Sequence, residues 1–185
     1  MDKVKKALRG LKACSLFPVT ANTTTAYAVG DPFELPAIQS LSKADTAEEY
    51  TIPADDVVYD TGTEFQHTDI EAGFAEMSNE QLATITGGKY DEVTEEYTAA
   101  NLDEAPEMAM AYAALQLGGG HRCFKHPVVK LMRVTVSHTT KGQGGTEIAP
   151  YTLSFRVTPR KFDGVHRLQR DVAKGEELTY LTYFT

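Results

Sequence analysis

The residues with the most chemical potential lie in one short run, His121-Arg122-Cys123-Phe124-Lys125-His126. Imidazole and thiolate are the usual zinc ligands, and a zinc site needs three or four of them converging at about 2 Å. In an extended chain positions 121 and 123 share a face and position 126 takes the other. No second Cys/His pair supplies the remaining ligands, so the run reads as an ordinary strand edge. His138 and His166 have no evident partners in the sequence.

Other candidate chemistries fail on spacing. Gly87-Gly88-Lys89-Tyr90 superficially resembles a phosphate loop, but Ala83 replaces the first glycine and Tyr90 replaces the Ser or Thr. A helix ending at Gly87 would also point carbonyls at this spot, which repels an anion. Gly118-Gly119-Gly120 lacks the dinucleotide fingerprint. The acidic pairs Glu48-Glu49 and Asp55-Asp56 could hold a hard cation or act as paired carboxyls. Sequence neighbours point apart on a strand, however, and no EF-hand spacing is present. There is no Gly-x-Ser-x-Gly. The sequence therefore predicts no catalytic residue, no metal and no cofactor, and a protein that is not an enzyme.

The chain has 185 residues, enough for one domain with a real core. No apolar run approaches the ~18 residues that span a bilayer, and the basic start Met1-Asp2-Lys3-Val4-Lys5-Lys6 lacks a secretory pattern. A cytoplasmic protein without a membrane partner is expected. Two distant cysteines, Cys14 and Cys123, make no disulfide framework.

The net charge is −8, and its distribution is more telling than its total. Between Asp45 and Glu107 eighteen Asp/Glu face one basic residue, Lys89. The flanking segments are net positive, +3 before and +6 after. A specific nucleic-acid binder is disfavoured, because its footprint is a basic face on a basic domain. A subunit with one negative and one positive region can pack head to tail on its own copies.

The elements that position these residues are mostly strands. Leu8 to Pro18 reads as a strand or packing arm. Pro32 and Pro36 exclude a central strand between Tyr27 and Ile38. Ser40 to Asp55 shows no period and is expected to be a long loop, of a length that is usually functional. Val57, Tyr59, Thr61, Thr63, Phe65 and His67 alternate with polar residues as in a half-buried strand. Ile70, Ala72 and Phe74 extend the pattern after an offset of one, which predicts a bulge or kink. Met77 to Gly87 predicts a short helix: Ser78 is the N-cap, Gln81 completes a capping box, Met77 and Leu82 form a hydrophobic staple, and Gly87 ends it. Met108 to Leu117, Val128 to Val136, Tyr151 to Val157 and Leu178 to Phe184 read as strands, with a loop at Lys141 to Gly145. The class is mainly β, a β-sandwich or barrel with one short flanking helix. A single domain spans 1–185, with an N-terminal arm over about 1–20 and a long inter-subunit loop over about 39–56.

The order of these pieces resembles the major tail proteins of long-tailed, non-contractile phages, especially those of Gram-positive hosts. The resemblance runs through Gly10-Leu11-Lys12, Glu34-Leu35-Pro36-Ala37-Ile38 and Asp55-Asp56-Val57-Val58-Tyr59-Asp60. It continues through the helix ending Ile85-Thr86-Gly87-Gly88-Lys89-Tyr90-Asp91, the Gly118 hairpin and Phe162-Asp163-Gly164. It implies hexameric rings that stack into a hollow tail tube, with strands from six subunits closing one barrel. It implies a place in the virion after assembly in the host cytoplasm. Tape-measure and tail terminator or initiator proteins are the implied partners, and DNA passes the lumen without specific binding. Lys43, Asp45, Glu48, Glu49, Asp55 and Asp56 are the expected inter-ring or lumen contacts. The alternatives are the tube of a secretion or phage-tail-like bacteriocin system, and a monomeric β-sandwich binding module.

Overall fold

The computed structural model describes residues 6–35, 37–54, 57–99, 101, 104–137 and 151–175. The expected strand at Leu178 to Phe184, the loop at Lys141 to Gly145, His138, Asp55 and Asp56 lie outside the described residues. Those described form a mainly β fold with one short helix.

In chain order the strands are β1 (Leu8–Asn22), β2 (Tyr27–Val29), β3 (Phe33–Glu34), β4 (Ile38–Ala54) and β5 (Val57–Phe74). After α1 (Asn79–Thr86) come β6 (Lys89–Asp91), β7 (Glu96–Thr98), β8 (Glu107–Gln116), β9 (His121–Val136), β10 (Tyr151–Val157) and β11 (Leu168–Val172). One antiparallel sheet runs β2-β1-β8-β9-β10-β5-β4, with β3 added to β1 and β11 added to β9; β6 and β7 form a separate hairpin.

The sheet curls on itself, the barrel form of the expected class. β3 pairs with β1 at Ser15↔Glu34, and β4 pairs with β5 from Ile38↔Phe74. The short link between them therefore joins the two ends of the sheet. Leu35 N donates to Cys14 O and Ala75 N donates to Ala37 O, each at 3.0 Å, and β1 approaches β4.

The curl encloses the main core. Leu16, Ile70, Phe74, Met110, Leu131, Leu153 and Phe155 fill it, and Leu82 and Ile85 of α1 close it. Each such side chain contributes about 1.5–3 kcal/mol on leaving water. β8 is buried on both faces. Its larger residues Met108, Met110 and Tyr112 face this core, while Ala109, Ala111 and Ala113 face a second cluster with Phe17, Cys123 and Val172. Small residues suit the close approach on that second side.

The helix forms as its sequence dictates. The Ser78 hydroxyl accepts from Gln81 N at 3.1 Å and Gln81 Oε1 accepts from Ser78 N at 2.9 Å. Gly87 ends it with φ 73°. Met77 and Leu82 are both buried in the core.

Of the two readings of Leu8 to Pro18, strand or packing arm, the strand holds, paired with β8 from Leu8↔Gln116 to Pro18↔Met108. Cys14 and Leu16 anchor it on one face and Phe17 on the other. Residues 40–54 are a strand, not a loop, because they pair in register with β5 along their whole length. β9 begins at His121 rather than Val128. Pro127 lies inside it at an irregularity where Met108↔Val129 is followed by Met110↔His126, the kind of position where a strand tolerates proline.

Candidate self-association surface

β4 and β5 are longer than the sheet that carries them. β10 pairs with β5 only between Thr68 and Phe74, whereas β4 continues to pair with β5 out to Ala54↔Val57. Beyond Ala47↔Phe65 the two strands form a ribbon that pairs with no other strand among the described residues. At about 3.3 Å per residue it projects roughly 25 Å from the body. A two-stranded ribbon is marginal alone in water. β4 also ends the sheet, so its outer edge carries unpaired backbone donors and acceptors.

A bulge sets the ribbon's departure. Thr46 pairs with His67 but Ala47 pairs with Phe65, leaving Gln66 as the extra residue. The bulge returns Phe65 to the core side, where it stacks on His166 at 4.0 Å between ring centroids. His67 is displaced to the outer face and meets Asp69 at 3.3 Å. The predicted offset is therefore real, and it falls one residue before His67 instead of after it.

The expected contact residues divide into two groups. Lys43 and Asp45 sit on the core side of the body. The Lys43 ammonium lies 5.7 Å from the Phe124 ring centroid. Burial, and then the charge of Arg167, hold it below the ordinary lysine range. Asp45 accepts from Thr68 Oγ1 at 2.6 Å and pairs with Arg167 at 3.3 Å. The Thr68 hydrogen bond is the main reason its carboxyl titrates below the usual carboxylate range. Glu48 and Glu49 lie on the exposed ribbon. Glu48 accepts from Gln66 Nε2 at 3.2 Å, and Glu49 pairs in register with Thr63. Among the described residues, the structure thus does not bring Lys43 and Asp45 together with Glu48 and Glu49 in one site.

Next to Lys43 and Arg167, His126 is fully buried. Its Nδ1 is 3.2 Å from the His166 carbonyl oxygen and so carries the proton. Its Nε2 is buried without a protein partner. Burial pushes its pKa down to about 4, so the ring is neutral at pH 7. β9 directs His126 to the main core and Cys123 to the alanine side. The two do not converge on one point. Cys14 and Cys123 likewise lie in different clusters, separated by β8.

Neither a protein-family profile nor a curated protein matches the sequence. Three solved structures are similar in fold. A chain of the anti-feeding prophage baseplate is 11% identical with a TM-score of 0.43, covering 95% of this chain and 100% of that one. A chain of the anti-feeding prophage cap, which terminates the tube, is 10% identical with a TM-score of 0.49, covering 94% and 96%. A chain of the sheath-tube complex of PVC, an extracellular contractile injection system, is 9% identical with a TM-score of 0.43, covering 85% and 88%. At these identities and TM-scores the likenesses assign no family.

Sequence reading located the acidic block but not its division. In the body, Asp69 pairs with Arg156 at 3.0 Å, Glu71 with Arg133 at 3.3 Å and Asp45 with Arg167 at 3.3 Å. These bridges use the basic residues that follow the block in sequence. Among the described residues, the ribbon carboxylates Glu48, Glu49 and Glu64 and those around β6 and β7 take no part in these bridges. The arginines were invisible as partners because they are from 62 to 122 residues distant along the chain.

Proposed function

We propose that this chain is a structural, self-assembling subunit of a tail-like tube. The observation that carries the reading is the β4–β5 ribbon, a long two-stranded projection with an open edge. Such an element gains stability only by pairing with or lying on another chain. β2 and β4 are the terminal strands of the sheet order, so copies arranged in a ring can pair through them. A ring closed in this way removes exposed edges. Rings that meet through unlike faces then stack without limit.

The order of sequence features supports six subunits per ring, a DNA-conducting lumen and tape-measure and terminator or initiator partners. The ribbon carboxylates, with Asp55 and Asp56 between its strands in sequence, are proposed to face the lumen or the next ring. An acidic wall repels phosphate and suits a conduit that must not hold its cargo. The same geometry serves a phage tail and a phage-tail-like injection system.

Negative-stain microscopy of the purified chain tests the proposal. Rings or tubes are expected. A chain that stays monomeric at high concentration, alone and with the products of neighbouring genes, overturns it. Charge reversal at Asp55 and Asp56 is expected to change assembly or its salt dependence.

A further inference from the structure

The β6–β7 hairpin presents an apolar tip inside an acidic collar. Val93 is 93% exposed, and Asp91, Glu92, Glu95 and Glu96 surround it in sequence. The tip is rigidly built. Asp91 Oδ1 accepts from Val93 N at 2.8 Å and from Thr94 N at 3.1 Å. Asn79 Nδ2 donates to Glu95 O at 3.0 Å, tying the turn to the start of α1. Tyr97 Oη meets Thr86 Oγ1 at 2.9 Å, tying β7 to the end of α1. A pre-ordered tip loses little conformational freedom on docking.

The Leu117 end of β8 has the complementary character. Leu117 and Leu8 are 51% and 46% exposed there, joined by Leu117 N donating to Ala7 O at 2.9 Å. Among the described residues Lys6, Arg9, Arg122 and Lys174 lie at this end, with Asp171 paired to Lys6 at 2.9 Å and to Arg122 at 2.7 Å. Lys174 packs along Gly119 in the turn after Leu117. The C-terminal end of α1 lies by the start of β8: a Cβ on Gly87 would meet Pro106 Cδ at 3.3 Å, immediately before Glu107. The tip lies beside the start of α1, where Gln81 Nε2 donates to Glu34 O at 3.2 Å and Glu34 pairs with Ser15 opposite Ala111, about 20 Å along β8 from Leu117.

We propose that the β6–β7 tip docks on the Leu8–Leu117 end of a second copy of this chain. Val93 seats against the two leucines, and the acidic collar meets the basic rim. This rests on the self-assembly proposed above and names a contact between its subunits. Two separate surfaces, unlike and complementary, make a heterologous contact, which adds copies head to tail instead of pairing one surface with itself. Opposite charge steers the encounter and excludes tip-to-tip pairing, where carboxylates would meet.

Val93→Cys and Leu117→Cys test the contact directly, because the native Cys14 and Cys123 are buried. Mixed under mild oxidation, the two single variants are expected to give a covalent dimer, and the double variant a ladder of covalent oligomers. Each single variant alone is expected to give none. Glu92→Lys with Glu95→Lys should raise the concentration needed for end-to-end assembly at least tenfold. Adding Arg9→Glu with Lys174→Glu should restore it. Wild-type tubes that form while the mixture yields no mixed dimer, or yields only Val93→Cys pairs, overturn the docking but leave the tube subunit standing. A wild-type chain that never associates overturns both.

Discussion

Glu48 and Glu64 stand directly opposite each other across the β4–β5 ribbon. Like charges in facing positions destabilise a strand pair, by roughly the 0.2–1 kcal/mol that an opposite pair would contribute. The ribbon is thus held below its attainable stability while it is alone. Glu64→Lys is expected to create a cross-strand ion pair and slow amide exchange over residues 46–51 and 61–65. The same change is expected to weaken assembly, which light scattering would record. Faster exchange in this variant would contradict the facing register.

The cap of α1 offers a separate measure of how the helix holds the core. Ser78→Ala removes the hydroxyl that accepts from Gln81 N and disrupts the reciprocal capping box. A loss of about 1 kcal/mol is expected, or a fall of roughly 2–4 °C in Tm for a chain of this size. Because α1 also carries the β6–β7 tip, exchange at Glu95 and Tyr97 should rise together with exchange in the helix.

The alanine side of β8 leaves no room. Ala113 is fully buried against the cluster that holds Phe17 and Cys123. Ala113→Leu is expected to cost about 1–3 kcal/mol through overpacking, read from the urea midpoint. A neutral result would mean that this face is not closely packed.

His126 makes stability depend on pH. Its folded pKa is lowered to about 4, chiefly by burial, with Lys43, Arg167 and His166 adding like charge. The ordinary histidine value is 6.5. Between these two values the unfolded chain binds the proton and the folded chain does not. The stabilising contribution is therefore complete above pH 6.5 and is lost as pH falls towards 4, to the extent of about 3 kcal/mol. The lowered pKa of His166, also due mainly to burial, acts in the same direction. Urea unfolding at pH 7.5 and pH 4.5 should show the loss, and His126→Phe should flatten the slope.

The strongest local signals in the sequence translated directly into structure. Ser78, Gln81 and Gly87 specify a helix through hydrogen bonds that reach only a few residues. Leu153, Phe155 and Val157 specify a strand because alternate positions meet core and surface. The acidic block was also plain, since charge is read without knowing the fold.

Tertiary structure alone decided the rest. Residues 46–51 are all exposed, so the ribbon has no buried face to write a period of two into β4. Its strand character comes from register with β5, and a structureless loop was the natural reading without that partner. The bulge at Gln66, which moves Phe65 inward and His67 outward, also depends on pairing. So does the division of the acidic block, because Arg133, Arg156 and Arg167 arrive from strands and turns far along the chain. The chain by itself determined local hydrogen bonding, hydrophobic alternation and charge. Only long-range pairing decided which carboxylates are neutralised in the body and which are carried outward on the ribbon.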